Sequence, residues 1–337
     1  MSGVYEADIY LLVPPIDTPN SPHSLTITDS LEIPVPETVE SSQEEVAKSD
    51  FTTIVFFSIR NKNFNPEEED TLAVPKKMSG VYEADIYLDA RPTYPTDWYS
   101  KLAALSHHHH LAWDAGTGNG QAAIGIAEHY DRVVATDLSE TMIKLGKPNP
   151  KVTYHHTPSS MTEDEIVDLI GGENSVDLIT VATAVHWFDL QKFYAIVNRL
   201  LRKPGGIIAV WSYNTDMVVS PEFDSVMTRF NNKTVPYCKF PESQYFLDGY
   251  KTLPFPFKSV GLGLEGKPIE LEMKKTVSFE GFLRMLKSWS AVGAAKEKGV
   301  DLLEENVVKE LETAWGGSEL VRTIVYKTFM LAGTVKT

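Results

Sequence analysis

The stretch from His110 to His129 constrains this chain more than any other. His110-Leu-Ala-Trp113 reads as a buried strand, and Asp114 closes it. Gly116, Gly118 and Gly120 then alternate through a tight turn. Gln121-Ala-Ala-Ile-Gly-Ile-Ala-Glu-His129 follows, with apolar residues at helical spacing. Strand, glycine turn and helix in that order form a nucleotide-binding geometry. Glycines permit positive φ and let a ligand lie against bare main chain. The unpaired N–H groups at the start of the helix face such a ligand.

The next segment narrows the ligand. Asp131-Arg-Val-Val-Ala-Thr-Asp137 reads as a second short strand ending in an acid. Asp137 falls about 20 residues past the turn, the distance at which a carboxylate accepts hydrogen bonds from ribose hydroxyls. The glycine spacing, with Asp114 ahead of it, is not the dinucleotide pattern G-x-G-x-x-G.

Four ordered motifs carry a family resemblance. They are Asp114-Ala-Gly-Thr-Gly-Asn-Gly120, Asp137-Leu-Ser-Glu-Thr-Met142, Val176-Asp-Leu-Ile-Thr-Val-Ala182 and Leu200-Leu-Arg-Lys-Pro-Gly-Gly206. Together they resemble the class I S-adenosylmethionine-dependent methyltransferases of the type 11-like group, over roughly residues 78 to 337. The resemblance implies a doubly wound, Rossmann-like α/β fold. Its sheet is expected to be mostly parallel and seven-stranded, with an antiparallel last strand and a helical cap. It further implies S-adenosyl-L-methionine as cofactor. The expected cofactor-binding residues are Asp114, Gly116, Thr117, Gly118, Gly120, Asp137, Leu138, Met142, Ser159, Ala182 and Thr183.

Arg91-Pro-Thr-Tyr-Pro95, Ala184-Val-His-Trp-Phe-Asp189 and Ser288-Trp-Ser-Ala291 are similar to the trans-aconitate methyltransferase-like branch. That similarity implies O-methylation of a small carboxylic acid, with Arg91 or Arg284 binding the carboxylate. In similar enzymes the stretch holding Tyr87, Arg91 and Tyr94 forms a lid over the cofactor. A helical start packed on the core is the competing reading. His186 and Trp187 follow the fourth strand, at the edge where open α/β sheets bind ligands. With Arg91 they are the catalytic candidates. A carboxylate acceptor is already ionised at neutral pH and needs only a positioned cation. A phenol or carbon acid would need a base, and His186 is the candidate. The alternative is a His-Trp pair that merely closes the sheet edge.

Further along, Ser139 is a plausible N-cap, with Met142 on the inner face of its helix. Thr162-Glu-Asp-Glu165 fits a capping box. Residues 212–264 and 278–315 break the α/β alternation and are expected to form the cap. Phe279, Phe282, Leu283, Leu286 and Trp289 mark one helical face, a stripe that reads as core. Leu320 to Ala332 is expected to be the last strand.

The first 77 residues are a separate matter. Met1-Ser-Gly-Val-Tyr-Glu-Ala-Asp-Ile-Tyr-Leu11 recurs letter for letter at Met78–Leu88. The region carries 14 acidic against 5 basic residues, much of the chain's net charge of −15. Low hydrophobicity with high net charge predicts disorder, except for one strand within Phe51–Ile59. The functional chain, 78–337, is expected to begin near Met78. The segment 1–77 would then be an extension with a duplicated start, either an artefact of gene prediction or a real disordered tail with a partner of its own.

Composition closes off several classes. The net charge disfavours nucleic-acid binding, which draws on Lys and Arg. No apolar run approaches the ~20 residues of a membrane span. Cys238 is the only cysteine, which suits a reducing, cytoplasmic setting. His107 to His110 cannot converge on one metal ion, since alternate strand residues point to opposite faces, and no metal is expected. The expected partner is a small-molecule acceptor, a carboxylic acid first, for a monomer or homodimer. A NAD(P)-dependent oxidoreductase would call for a different glycine spacing, and no Tyr here has Lys four residues on. A non-catalytic S-adenosylmethionine-binding protein is the other alternative.

Overall fold

The computed structural model describes residues 5–10, 56–61 and 93–336. Two compact units are distinguished, Met1–Lys76 and Lys77–Thr337. In the first, β1 (Tyr5–Tyr10) pairs antiparallel with β2 (Phe56–Asn61), from Tyr5 opposite Asn61 to Tyr10 opposite Phe56. The strand expected within Phe51–Ile59 is thus present, with its bounds moved toward Asn61. The remainder of the extension lies outside the described residues.

The second unit is built on an eight-stranded sheet. In chain order the strands are β3 (Leu111–Ala115), β4 (Arg132–Asp137), β5 (Val152–His156), β6 (Leu178–Ala182), β7 (Ile207–Val218), β8 (Lys258–Ser259), β9 (Ile269–Ser278) and β10 (Val321–Thr334). Across the sheet they run β5-β4-β3-β6-β7-β10-β8, with β9 also paired to β10. The first five strands are parallel, and β10 is antiparallel to β7, β8 and β9. The family resemblance implies seven strands. The eighth is β8, whose two residues pair with Gly333 and Thr334 and are too few to carry a pattern.

Period-2 alternation sends neighbouring residues into two cores. Val133 and Ala135 join one with Trp98, Leu102 and Ile126, from the helices Thr96–Leu105 and Gln121–Ala127. Val134 joins the other with Val167 and Val197, from the helices Glu163–Ile170 and Leu190–Leu200. A sheet buried on both faces explains why β6 is almost continuously apolar. Two caps fix where the intervening helices begin. Thr162 and Glu165 form the reciprocal capping box, and the Asp189 carboxylate accepts from the Lys192 N–H at 3.2 Å.

The segment expected as a cap is in good part core. β7 continues to Val218, so its first residues are sheet. The helices Pro221–Thr234, Phe279–Lys287 and Glu305–Trp315 meet through Phe223, Phe282 and Trp315. Each of these rings is fully buried, with centroids 5.2 Å apart pairwise. Phe279, Phe282, Leu286 and Trp289 are buried and Leu283 partly so, as a core stripe requires. Trp289 packs against Phe230, and Arg284 is exposed on the outer side of its helix.

Candidate functional site

The chain leaves β3, visits β4 and β5 on one side, then crosses back to β6 on the other. β3 and β6 therefore flank a topological switch point, the place where open α/β sheets hold ligands. The glycine loop sits on the carboxyl end of β3 and Thr183 on that of β6.

Gly116, Gly118 and Gly120 have φ of +68°, +57° and +89°. Their surroundings differ. A Cβ on Gly116 would lie 2.6 Å from the Ala184 Cβ and 3.2 Å from the Phe188 ring. One on Gly120 would overlap the Tyr154 hydroxyl. One on Gly118 would meet nothing within 4 Å among the described residues. The loop is thus walled at both ends and open at its middle.

Asp114 lies behind this loop. It is fully buried and accepts from the Thr117 hydroxyl at 2.6 Å and the Thr180 hydroxyl at 2.7 Å. Burial pushes its pKa up to about 6 against those two hydrogen bonds, and the charge of Asp137 adds to the rise. The family resemblance implies that Asp114 binds the cofactor directly. With no exposed surface, it instead ties the loop to β6, and Thr117, itself buried, is its partner. The Thr117 N–H donates to the Thr136 carbonyl at 2.9 Å, which holds the loop against β4.

Asp137 closes the other side. Its two carboxylate oxygens accept from the Gly118 N–H and the Ser139 N–H, each at 2.8 Å. Each oxygen keeps a further lone pair for a ligand hydroxyl. Burial holds its pKa above the usual value despite these bonds. Leu138 is 65% exposed, an apolar surface beside that carboxylate. Ser139 caps the helix Glu140–Lys144, its hydroxyl accepting from the Met142 N–H at 3.4 Å. That helix buries no residue, so Met142 is half-buried rather than on a packed inner face. Ser159 is exposed beyond β5.

At the end of β6, Ala182 is half-buried and Thr183 adopts φ +57°. Left-handed backbone is an outlier for a β-branched residue. Two hydrogen bonds hold it there. The Thr183 N–H donates to the Trp211 carbonyl at 2.8 Å, and its Oγ1 lies 2.9 Å from the Tyr94 hydroxyl. Tyr94 in turn sets its ring edge-on to Trp211 at 5.5 Å. Tyr87 and Arg91 lie outside the described residues.

His186 and Trp187 form a 3-10 turn with Val185. They diverge in exposure. His186 is 5% exposed, its ring 5.2 Å from Phe246. It lines a cleft that shares no residue with the glycine loop. Trp187 is 41% exposed, with the Lys239 ammonium 5.9 Å from its ring centroid. The four histidines 107–110 serve separate ends: the His109 Nε2 meets the Ala103 carbonyl at 2.8 Å and the His110 Nδ1 meets Asp131 at 2.9 Å.

Three polar groups were not anticipated. The Asn119 Nδ2, Trp211 Nε1 and Thr328 Oγ1 are buried without hydrogen-bond partners. Buried polar groups are nearly always satisfied, and of these three Asn119 sits within the glycine loop. Asn119 could have been suspected from its place among the glycines. Trp211 and Thr328 read in sequence only as strand residues. The loop with one open face, the twice-anchored acid and the orphan amide fit a nucleoside-bearing cofactor laid across the ends of β3 and β4.

A family model described as a methyltransferase domain matches residues 113–210. A candidate methyltransferase of Dictyostelium discoideum is 30% identical over 242 residues, covering 70% of this chain and 87% of that one. Methyltransferase ptaI of Pestalotiopsis fici is 24% identical, covering 81% of this chain and 98% of its own length. Among solved structures, a candidate type II methyltransferase from Anaeromyxobacter dehalogenans superposes with a TM-score of 0.61 at 33% identity. It spans 72% of this chain and 97% of its own.

Proposed function

Because the chain belongs to the class I S-adenosylmethionine-dependent methyltransferases, we propose that it methylates an oxygen of a small molecule, a small carboxylic acid first among them. The cofactor, S-adenosylmethionine, supplies a methyl group already activated for displacement. What the protein adds is placement, and orienting two reactants can remove ~7–11 kcal/mol of barrier.

In this reading the main chain of Gly116, Gly118 and Gly120 carries the cofactor. Asp114 and Thr117 hold the loop from behind. Asp137 accepts its ribose hydroxyls, Leu138 and Met142 cover its base, and Ser159 borders that end. Ala182 and Thr183 border the methyl end. The observation that carries the proposal is the pairing of Gly118, open to 4 Å, with the Asp137 carboxylate that takes its N–H.

The acceptor is proposed to lie beyond Thr183, over the sheet face that holds Trp211 and Thr328. On β10, Thr328 stands opposite Tyr213 and Met330 opposite Trp211, so the two orphan groups occupy neighbouring strands on one face. Both can donate to an acceptor oxygen. Arg91, in the segment that resembles the trans-aconitate branch, is proposed as the cation for a carboxylate. A carboxylate needs no base, so proton transfer by His186 or Trp187 is not required in this reading.

The test is a metabolite-extract screen with the cofactor labelled on its methyl group, followed by mass spectrometry of the product. A methyl ester supports the proposal. Label appearing only on nitrogen or carbon would overturn the oxygen assignment while leaving the methyltransferase in place.

A further inference from the structure

A second concavity lies away from the glycine loop. It is bounded by the helix Leu190–Leu200, the helix Glu242–Leu247 and the segment from Pro254 to Pro256. Its volume is about 490 Å³, within the range of small-molecule sites. None of its lining residues belongs to the glycine loop, to Asp137 or to Thr183. The Phe188 ring separates the two places, since it lines the cleft and also lies against Gly116.

We propose that this cleft binds a small organic ammonium ion. Its walls are aromatic: Phe188, Tyr194, Tyr245 and the imidazole of His186. Its carboxylates are Glu242 and Glu265, and among the described residues no Lys or Arg lines it. Rings and acids lining a cleft attract a cation through the rings and through charge, the pattern by which quaternary ammonium groups are recognised.

Two details strengthen the assignment. The Glu242 Oε2 is buried with no hydrogen-bond partner, while its Oε1 lies 3.7 Å from the Lys239 ammonium. A buried carboxylate oxygen without a donor is costly unless a cation compensates it. The Tyr194 hydroxyl donates to the Pro254 carbonyl at 2.7 Å, so it does not compete as a hydrogen-bond partner for a ligand in the cleft. Burial raises the pKa of that phenol, and the nearby Tyr245 and Glu265 raise it further, so the charge of Glu265 is felt at the ring.

Calorimetry on the full chain tests this with choline and its uncharged carbon isostere, dimethylbutanol. Choline is expected to bind at least tenfold more tightly than the isostere. The double variant Glu242→Gln, Glu265→Gln is expected to lose at least tenfold in choline affinity, and Tyr245→Ala a similar amount. S-adenosylmethionine affinity should be unchanged in both variants, which also reports that they fold. Choline affinity should be the same with the cofactor saturating. Absent choline binding, equal binding of the two probes, indifference to the double substitution, or competition with S-adenosylmethionine would each overturn the proposal. Loss of cofactor binding by the unmodified protein would instead count against the methyl-donor site alone.

Discussion

The Tyr94 hydroxyl lies 2.9 Å from the Thr183 Oγ1, joining two residues 89 positions apart across the mouth of the crevice. Thr183 pays backbone strain to stand there, since left-handed conformation costs roughly 1–2 kcal/mol for a residue with a Cβ. Tyr94→Phe should therefore destabilise the fold by about 1 kcal/mol, the worth of one hydrogen bond. Thr183→Gly should relieve strain that Thr183→Ala retains. Urea denaturation of the three variants checks both. A Thr183→Gly variant no more stable than Thr183→Ala would mean that the strain is absent.

The glycine loop gives a contrast within one motif. Gly116→Ala drives a methyl into Ala184 and Phe188, whereas Gly118→Ala meets only open space. Both pay for positive φ, so both lose some stability. Gly116→Ala should lose more, by ~1–3 kcal/mol of overpacking. Gly118→Ala should keep most of its stability yet bind S-adenosylmethionine at least tenfold more weakly, because its methyl fills the place the ligand needs. Thermal melts with and without cofactor separate the two effects.

Much of this site was legible in sequence because it is local. The glycines, the acid at the end of β4 and the caps at Ser139 and Thr162 each depend on residues a few positions apart, and all lie where the pattern puts them. The parallel strands were legible because each is short, apolar and bounded by turn residues. What escaped depends on contacts between distant elements. Asp114 shares a motif with the glycines, but only the approach of Thr180 from β6 shows that both its oxygens are spent behind the loop. The orphan Trp211 and Thr328 are ordinary strand residues until β7 and β10 are paired. The helices of the expected cap also contribute core, because Phe223, Phe282 and Trp315 meet, a convergence no local period can report.

Asp114 makes stability depend on pH. Its pKa rises from 3.8 to about 6 on folding, with burial the main cause. The folded state then binds more protons than the unfolded state between these values. Stability from this group is fully present below about pH 4 and is lost as pH rises toward and through about 6. The loss is at most about 3 kcal/mol. Asp114→Asn removes the titration, so the stability difference between wild type and variant should change across that window and level off above it. Urea denaturation over the same pH range checks this, and a difference that stays flat would contradict it.

For His186 the expected result is an unchanged pH profile. If the acceptor is a carboxylate, His186→Gln should lower stability through lost packing against Phe246 and leave the shape of kcat/KM against pH intact. Loss of a limb of that profile in the variant would make the imidazole a proton acceptor. That would point to a phenol or carbon acid as substrate.

The central claim is that the cofactor lies between Gly118 and Asp137, and calorimetric titration of S-adenosylmethionine into wild type and Asp137→Ala tests it most directly. The account predicts binding by the wild type, and a loss of ~1–3 kcal/mol in the variant from hydrogen bonds to a charged group. Equal affinity in the two proteins would contradict it.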